Sequence, residues 1–82
     1  MRVDYNHPRV VAALVAAPLS VRKAFFKQIH LLAEDRRHPS LRAKKYDERQ
    51  GLWQARVNYT WRFYFRIVGD AFLMEEIRHH PK

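Results

Sequence analysis

The fold is decided by residues 52–68, which read LWQARVNYTWRFYFRIV. Apolar and polar residues alternate in two runs around Tyr59 and Thr60, and a period of two is typical of paired strands with one buried face. The positions expected to face the core are Trp53, Ala55, Val57, Trp61, Phe63, Phe65 and Ile67. This stretch therefore predicts a β-hairpin that buries an aromatic face.

The opposite face of the hairpin is polar, and its members are Gln54, Arg56, Asn58, Arg62, Tyr64 and Arg66. Three arginines on one open face favour an anionic ligand, because a guanidinium group binds phosphate oxygens in pairs. An ordinary solvated strand face is the alternative interpretation. Packing is the favoured role of Trp53 and Trp61, whereas Tyr59 and Tyr64 either pack or stack on a nucleic-acid base.

The composition is strongly basic, because 16 Lys and Arg against 8 Asp and Glu give a net charge of +8 over 82 residues. Such a field favours nucleic acid, an anionic membrane surface or an acidic protein as partner, although a merely soluble basic protein is also compatible with it. The charge is concentrated between residues 36 and 46, where no acidic residue occurs. The cations of this tract are Arg36, Arg37, Arg42, Lys44 and Lys45.

Several classes of site are disfavoured by what the sequence lacks. There is no cysteine for a disulfide or a zinc–thiolate site. The five histidines show no metal-ligand spacing and the two glycines form no phosphate-binding loop, so we expect neither metal nor cofactor. The longest apolar stretch, residues 10–19, is about half of a membrane span. We therefore expect a cytoplasmic protein without membrane contact.

The pattern outside the hairpin predicts two helices and three more strands. Residues 10–17 are expected to form a short helix that ends before Pro18, and residues 21–35 a second helix capped by Ser20. The core stripe of the second helix is Val21, Phe25, Ile29 and Leu32. Strands are expected at residues 1–5, 41–45 and 72–79, with a loop at 35–40.

Helices followed by strands indicate a single α+β domain over residues 1–82, a small twisted antiparallel β-sheet with two N-terminal helices packed on one face. The other face then stays open and carries Arg56, Arg62 and Arg66. Strict alternation along the last strand predicts one side made of Phe72, Met74, Glu76 and Arg78. The opposite side is then made of Leu73, Glu75, Ile77 and His79.

The polar residues that remain fit cleavage of RNA without a metal. That reaction needs a base for the 2′-hydroxyl proton, cations for the phosphate oxygens and an acid for the leaving 5′-oxygen. Arg56 and Arg62 suit the cationic role, and His79 or His80 suits proton transfer because imidazole titrates near neutral pH. A solvated tail is the alternative interpretation of the two histidines.

Over residues 10–80 the chain resembles the RelE/ParE toxin superfamily of bacterial type II toxin–antitoxin modules. The resemblance rests on a helix followed by HLLAEDRRHPSLRAKKYD (30–47), GLWQARVNYTWRFYFRIVGD (51–70) and a final strand ending in histidine. Its most specific part is a strand that ends in Arg56 and a second strand that opens with Trp61-Arg62. The resemblance implies a twisted sheet with two helices against one face.

In the RelE, YoeB and HigB branches, the resemblance implies an mRNA endonuclease (an mRNA interferase) that acts in the ribosomal A site and inhibits translation. By position, Arg56 contacts the phosphate, Arg62 stabilises the transition state, and His80, with His79 beside it, transfers protons. The residues expected to bind the RNA backbone are Arg36, Arg37, Arg42, Lys44, Lys45, Arg66 and Arg78.

The resemblance also implies an acidic cognate antitoxin in a toxin–antitoxin hetero-oligomer, with mRNA and the ribosome as targets. Two positions depart from the nuclease branches: Gln54 stands where RelE has a lysine, and Pro81-Lys82 follow the histidine where many members have a tyrosine. The ParE branch shares the fold, lacks the nuclease residues and inhibits DNA gyrase. A non-catalytic gyrase inhibitor and a basic RNA-binding module therefore stay open as alternatives.

Overall fold

The computed structural model describes residues 1–80, which form two α-helices, one 3₁₀ helix and five strands. In chain order they are β1 (Arg2–Asp4), α1 (Pro8–Ala16), α2 (Leu19–Glu34), the 3₁₀ helix (Pro39–Leu41), β2 (Lys44–Asp47), β3 (Leu52–Arg56), β4 (Trp61–Val68) and β5 (Ala71–His79). Pro81 and Lys82, where the resemblance led us to look for a tyrosine, lie outside the described residues.

The five strands form one sheet in the order β1-β5-β4-β3-β2. The pairs among β2 to β5 are antiparallel, whereas β1 pairs with β5 in parallel. The expectation of a wholly antiparallel sheet is wrong at this edge, because the long connection from β1 through both helices lets the chain return in the same direction. The α+β class with two helices on one face is confirmed.

One hydrophobic core joins the helices to the sheet. The buried apolar residues of α2 include the predicted stripe Val21, Phe25, Ile29 and Leu32. Phe25 meets Phe63 of β4 edge to face, with ring centroids 5.7 Å apart, a favoured arrangement of aromatic rings. Phe63 and Phe65 are both fully buried. The aromatic face of the hairpin is thus the core face, as predicted.

The two helices begin in different ways. His7 caps α1, because its Nδ1 accepts a hydrogen bond from the Arg9 N–H at 3.1 Å. In α2 the predicted cap, Ser20, is wrong: the helix begins at Leu19 with Pro18 at the N-cap position. The carbonyl oxygen of Pro18 already accepts from Val21 N–H at 3.0 Å, so Ser20 lies inside the first turn.

The segment before β2 also differs from the prediction. Residues 39–41 form a 3₁₀ helix, where a loop to residue 40 and a strand from Leu41 are predicted, and Nδ1 of His38 accepts from the Ser40 N–H at 3.2 Å at its start. Arg42 then adopts a left-handed conformation with φ 45° and ψ 44°. That conformation costs a residue other than glycine about 1–3 kcal/mol. It reverses the chain, so that β2 begins only at Lys44.

The last strand contains a β-bulge that strict alternation does not anticipate. Tyr64 pairs with Glu76 but Phe65 pairs with Met74, so Glu75 has no direct partner on β4. A bulge shifts the alternation of side chains by one residue. Phe72 and Met74 therefore share the core side with Ile77. The prediction that placed Phe72 and Met74 opposite Ile77 is wrong.

Candidate nucleic-acid interface

Three arginines lie side by side across the open face of the sheet. Arg56 of β3 is directly opposite Arg62 of β4, and Arg62 is opposite Arg78 of β5. Directly opposed side chains have Cβ atoms about 5 Å apart, and like charges at that separation repel. The open face therefore concentrates positive charge in one row.

The β3 end of this row borders a groove of about 270 Å³, which we call the arginine groove. Its lining residues are Arg42, Lys44, Gln54, Ala55, Arg56, Arg62 and His80. The groove brings together both predicted catalytic arginines, one predicted catalytic histidine and two of the cations predicted to bind RNA. Within the described residues no carboxylate lines it, so its cationic charge is not compensated there.

Arg62 is held by the turn that joins β3 to β4. Its Nη1 donates to the carbonyl oxygens of Asn58, Tyr59 and Trp61, at 2.9, 3.1 and 3.1 Å respectively. Burial, and then the nearby charge of Arg56, lower the pKa of Arg62, although a guanidinium stays cationic at neutral pH. The turn thus holds a cation in place against repulsion that a bound anion would relieve.

Arg56 and the loop before Arg42 are both tied to α2 by one buried glutamine. Gln28 is 6% exposed, and its Nε2 donates to the carbonyl oxygens of Ser40 at 3.2 Å and Arg56 at 3.0 Å. The Arg56 guanidinium carbon lies 5.9 Å from the centroid of the Tyr59 ring, within the range of a cation–π contact. A single side-chain amide therefore positions two walls of the arginine groove.

The two C-terminal histidines make different contacts. His79 pairs with Trp61 on the helix-covered side, and their ring centroids are 5.4 Å apart. His80 lines the arginine groove, and its backbone N–H donates to the carbonyl oxygen of Thr60. Strand β5 ends at His79, and His80 is the next residue along the chain. Of the predicted histidine pair, the structure therefore brings only His80 to the arginines.

Arg66 and Arg78 are engaged by carboxylates instead. Nε of Arg66 lies 3.2 Å from Oε1 of Glu75, and its Nη2 donates to Oε1 of Gln50 at 3.4 Å. Nε of Arg78 lies 3.5 Å from Oε1 of Glu76. Both arginines are predicted to bind RNA, but neither lines the arginine groove.

Tyr64 is buried although it belongs to the open face. It is 2% exposed, its hydroxyl accepts from Nε2 of Gln54 at 2.9 Å, and its ring is covered by Tyr46 and by the guanidinium of Arg78, 4.5 Å from the centroid. Burial acts to lower the pKa of Arg78, but its contacts with the two tyrosines and the charge of Glu76 together outweigh this and raise that pKa. Tyr64 is too buried to stack on a base, whereas Tyr59 is exposed.

The other predicted RNA-binding cations lie outside the arginine groove. Lys45 pairs with Trp53, whereas its neighbour Lys44 pairs with Gln54 and faces the groove. A cleft of about 410 Å³, which we call the tryptophan cleft, is lined by Arg36, Arg37, His38, Pro39, Arg42, Ala43 and Trp53. Arg42 lines both surfaces. The basic tract of the sequence is therefore divided between two sites that meet at Arg42.

Two further observations bear on the predicted absences. Across residues 1–80, no three His, Cys, Asp or Glu side chains lie close enough together to hold a metal ion. No helix of this same part of the chain is long and apolar enough to cross a bilayer.

Comparison with known proteins identifies the fold. A YoeB/ParE toxin from Agrobacterium tumefaciens matches with a TM-score of 0.75, over 99% of this chain and 100% of that chain, at 13% sequence identity. The chain has the fold of a YoeB/ParE toxin. No protein-family model and no curated protein matches by sequence. The fold expected from the resemblance is therefore confirmed by the structural match, although the sequence identity is only 13%.

On this YoeB/ParE fold, the sequence pattern does not single out two residues of the interface. Gln28 was not singled out, although its spacing puts it on the buried stripe of α2, three residues after Phe25 and next to Ile29. A polar residue in a core stripe usually has buried hydrogen-bond partners, and that signal was readable. Trp53 was assigned to packing, yet it is half-buried and walls the tryptophan cleft. The residues around Trp53 in the sequence carry no pattern that distinguishes a cleft wall from an ordinary packing residue.

Proposed function

We propose that the protein is the toxin of a type II toxin–antitoxin system, and that it is a metal-independent, ribosome-dependent mRNA endonuclease that inhibits translation. The observation that carries this proposal is the arginine groove, where Arg56, Arg62 and His80 meet without a carboxylate among the described residues. The fold shared with a YoeB/ParE toxin supports the toxin role. The chemistry is inferred from the groove alone.

Arg56 and Arg62 bind the scissile phosphate in this mechanism. Attack of the ribose 2′-oxygen on phosphorus gives a pentacoordinate phosphate with added negative charge on its equatorial oxygens, and charged donors stabilise that charge best. Arg62 makes its turn hydrogen bonds through Nη1. Its Nη2 and Nε are the donors for the phosphate.

His80 transfers the protons. It is the lining side chain of the groove whose ring nitrogens can both accept and donate a proton. As a base it takes the proton of the 2′-hydroxyl while the bond from the 2′-oxygen to phosphorus forms. As an acid it gives a proton to the 5′-oxygen while the bond from phosphorus to that oxygen breaks. The products are a 2′,3′-cyclic phosphate and a free 5′-hydroxyl, and no electrons are exchanged with a cofactor.

The charge of the protein supports two kinds of partner. An acidic antitoxin segment that folds on binding can wrap a large surface and neutralise the groove. The ribosome presents single-stranded mRNA within a highly anionic particle, and a net charge of +8 favours association with it.

Expression of Arg62→Ala in bacteria tests the proposal. The parent is expected to arrest growth and to leave discrete cuts in translated mRNA. Arg62→Ala is expected to cleave about 10²–10³-fold more slowly, because a donor to the transition-state charge is lost. Lys27→Ala is the matched control, since it removes an exposed cation of α2 that lines neither site. Thermal unfolding of both purified variants measures the separate cost of the three turn hydrogen bonds.

Equal toxicity of Arg62→Ala and the parent would overturn the proposed mechanism. Intact mRNA together with an activated DNA-damage response would point to gyrase inhibition, the ParE-like alternative. Intact mRNA with RNA binding retained and no such response would leave a basic RNA-binding module.

A further inference from the structure

We propose that the tryptophan cleft is a second phosphate-binding subsite for single-stranded RNA, adjacent to the arginine groove. The inference rests on the proposed function and deepens it, because it gives the RNA strand a path around the β2 edge of the sheet. Its ligand is a backbone phosphate that lies one or a few nucleotides from the phosphate held by the arginine groove.

Trp53, a wall of this cleft, contacts two cations: Arg36, which also lines the cleft, and Lys45 of the neighbouring edge strand. The guanidinium carbon of Arg36 is 5.8 Å and Nζ of Lys45 is 5.9 Å from the centroid of its ring. A cation–π contact at an exposed site stabilises each position by about 0.5–1 kcal/mol, which opposes the repulsion between them. Trp53 is itself stacked on Phe65, with centroids 6.2 Å apart and planes inclined by 18°. The ring that the two cations contact is therefore packed against the core.

Within the described residues no carboxylate lines the cleft, although Glu34 and Asp35 border a neighbouring depression together with Arg36 and Arg37. Neither Arg36 nor Lys45 takes part in a salt bridge among residues 1–80, and Arg37 and Arg42 add two more cations to the lining. Proteins that bind single-stranded nucleic acid combine cations, which contact the phosphates, with aromatic side chains, which contact the bases. The cleft offers both kinds of group. At about 410 Å³ the cleft has room for a phosphate with its sugar.

Arg42 connects the cleft to the arginine groove, because it lines both. Its left-handed backbone, φ 45°, is strained for an arginine, and strained residues persist where the surroundings hold them, frequently at functional sites. Gln28 is part of that support through its hydrogen bond to the Ser40 carbonyl oxygen. With this backbone conformation, the side chain of Arg42 lies where the tryptophan cleft and the arginine groove meet.

The edge strand continues the same path. β2 is the last strand of the sheet, and its consecutive residues Lys44 and Lys45 face the arginine groove and Trp53 respectively. A strand of RNA that turns around this edge meets a cation on each side of it. This continuity favours an extended single strand over a compact anion as the occupant.

Binding of a non-cleavable 12-nucleotide 2′-O-methyl RNA, followed by fluorescence anisotropy, tests the inference. In Arg36→Gln/Lys45→Gln, the slope of log K against log salt concentration should become less steep by about 1.4, because each phosphate contact with a single strand contributes about 0.7. The affinity ratio of parent to variant should then shrink about sevenfold between 50 and 200 mM salt. Lys23→Gln/Lys27→Gln makes the same change of charge on exposed positions of α2 and should keep the parental slope.

Trp53→Leu distinguishes the contribution of the aromatic ring from that of the cations beside it. It keeps an apolar side chain against Phe65 but removes the π-face, so the slope should fall although every charge is retained. Unfolding curves of all variants show whether the fold survives. A cleft without a role in RNA binding would leave both slopes at the parental value.

The outcomes separate the two proposals. If the parent binds the 12-mer and the Arg36/Lys45 variant binds it with the same affinity and slope, the second subsite is wrong and the proposed function stands. If the parent does not bind the 12-mer, the second subsite is wrong, and the proposed function is decided separately by the mRNA cuts expected from the parent and not from Arg62→Ala. If a poly-glutamate peptide loses affinity for that variant while RNA does not, the cleft belongs to an acidic protein partner and the inference is overturned.

Discussion

Two halves of the open sheet face carry similar arginines in opposite electrostatic states. In the arginine groove, Arg56 and Arg62 face each other across β3 and β4, and no carboxylate lines the groove in the described part of the chain. Arg66 and Arg78, which we call the paired half, have carboxylate partners: Arg66 binds Glu75 at 3.2 Å, and Arg78, although opposite Arg62, lies 3.5 Å from Glu76. The groove keeps a charge that an anion can neutralise, whereas the paired half has already been neutralised.

The difference is made by the bulge in β5. Consecutive residues normally point to opposite faces, but the unpaired Glu75 lets two adjacent glutamates serve the same face, where they meet Arg66 and Arg78. The residue that follows this strand and lines the groove is His80, not a carboxylate. The function of an arginine on this sheet therefore depends on its cross-strand partner more than on its place in the sequence.

The largest effect is expected from Arg56→Glu, which gives the groove the ion pairing of the paired half. The new carboxylate would hold Arg62 and repel phosphate, so loss of two donors is expected to slow RNA cleavage on the order of 10⁴-fold. The free energy of unfolding should rise by up to about 1 kcal/mol, because cross-strand repulsion becomes attraction. Cleavage assays check the expected loss of rate, and denaturant titrations check the expected gain in the free energy of unfolding. In both measurements Arg56→Gln should lie between the parent and Arg56→Glu. Activity retained in Arg56→Glu would remove Arg56 from the site.

His80→Ala is expected to slow cleavage by roughly 10²-fold or more, since a positioned proton donor and acceptor is lost. Affinity for 2′-O-methyl RNA should change little, because imidazole is not the main phosphate ligand. His79→Ala is the comparison variant and is expected to act on stability through its contact with Trp61. An equal loss of cleavage in both variants would contradict the separation of the two histidines.

Gln28→Met tests whether the hydrogen bonds of Gln28 position the residues of the arginine groove. The change leaves the carbonyl oxygens of Ser40 and Arg56 without their buried donor, which should lower the free energy of unfolding by about 1–3 kcal/mol. RNA affinity should also fall severalfold as Arg56 and Arg42 lose their common anchor. Lys27→Met, on an exposed position of the same helix, controls for the substitution itself. Loss of stability without loss of affinity would show that Gln28 does not position the groove.

The smallest effect is expected from Glu75→Gln, which moves the paired half toward the state of the groove. Freed from its carboxylate, Arg66 should add about one phosphate contact, so the salt slope should steepen by about 0.7. The stability cost should stay below about 1 kcal/mol, as for a partly exposed ion pair. Glu34→Gln makes the same charge change on α2, away from the open face. Equal slopes in the two variants would mean that Arg66 cannot reach RNA even when unpaired.

Particular residues show which parts of the site can be predicted from the sequence. The pairing of Arg56 with Arg62 followed from the hairpin, because the two strands are joined by a short turn that sets their register. The choice between His79 and His80 did not follow, since it depends on a register shift between β4 and β5 that no local pattern announces. The parallel pairing of β1 was missed for a similar reason, because its partner lies some seventy residues away.

Local patterning was enough for the core face, the α+β class and the concentration of positive charge, because each depends on residues that are close in the chain. Only the tertiary structure decided which cations remain uncompensated. Carboxylates from β5 neutralise Arg66 and Arg78, a left-handed Arg42 divides the basic tract into two sites, and Gln28 fixes their common wall. Charge compensation is a contact between residues distant in sequence, so it becomes visible only once the register of the sheet is known.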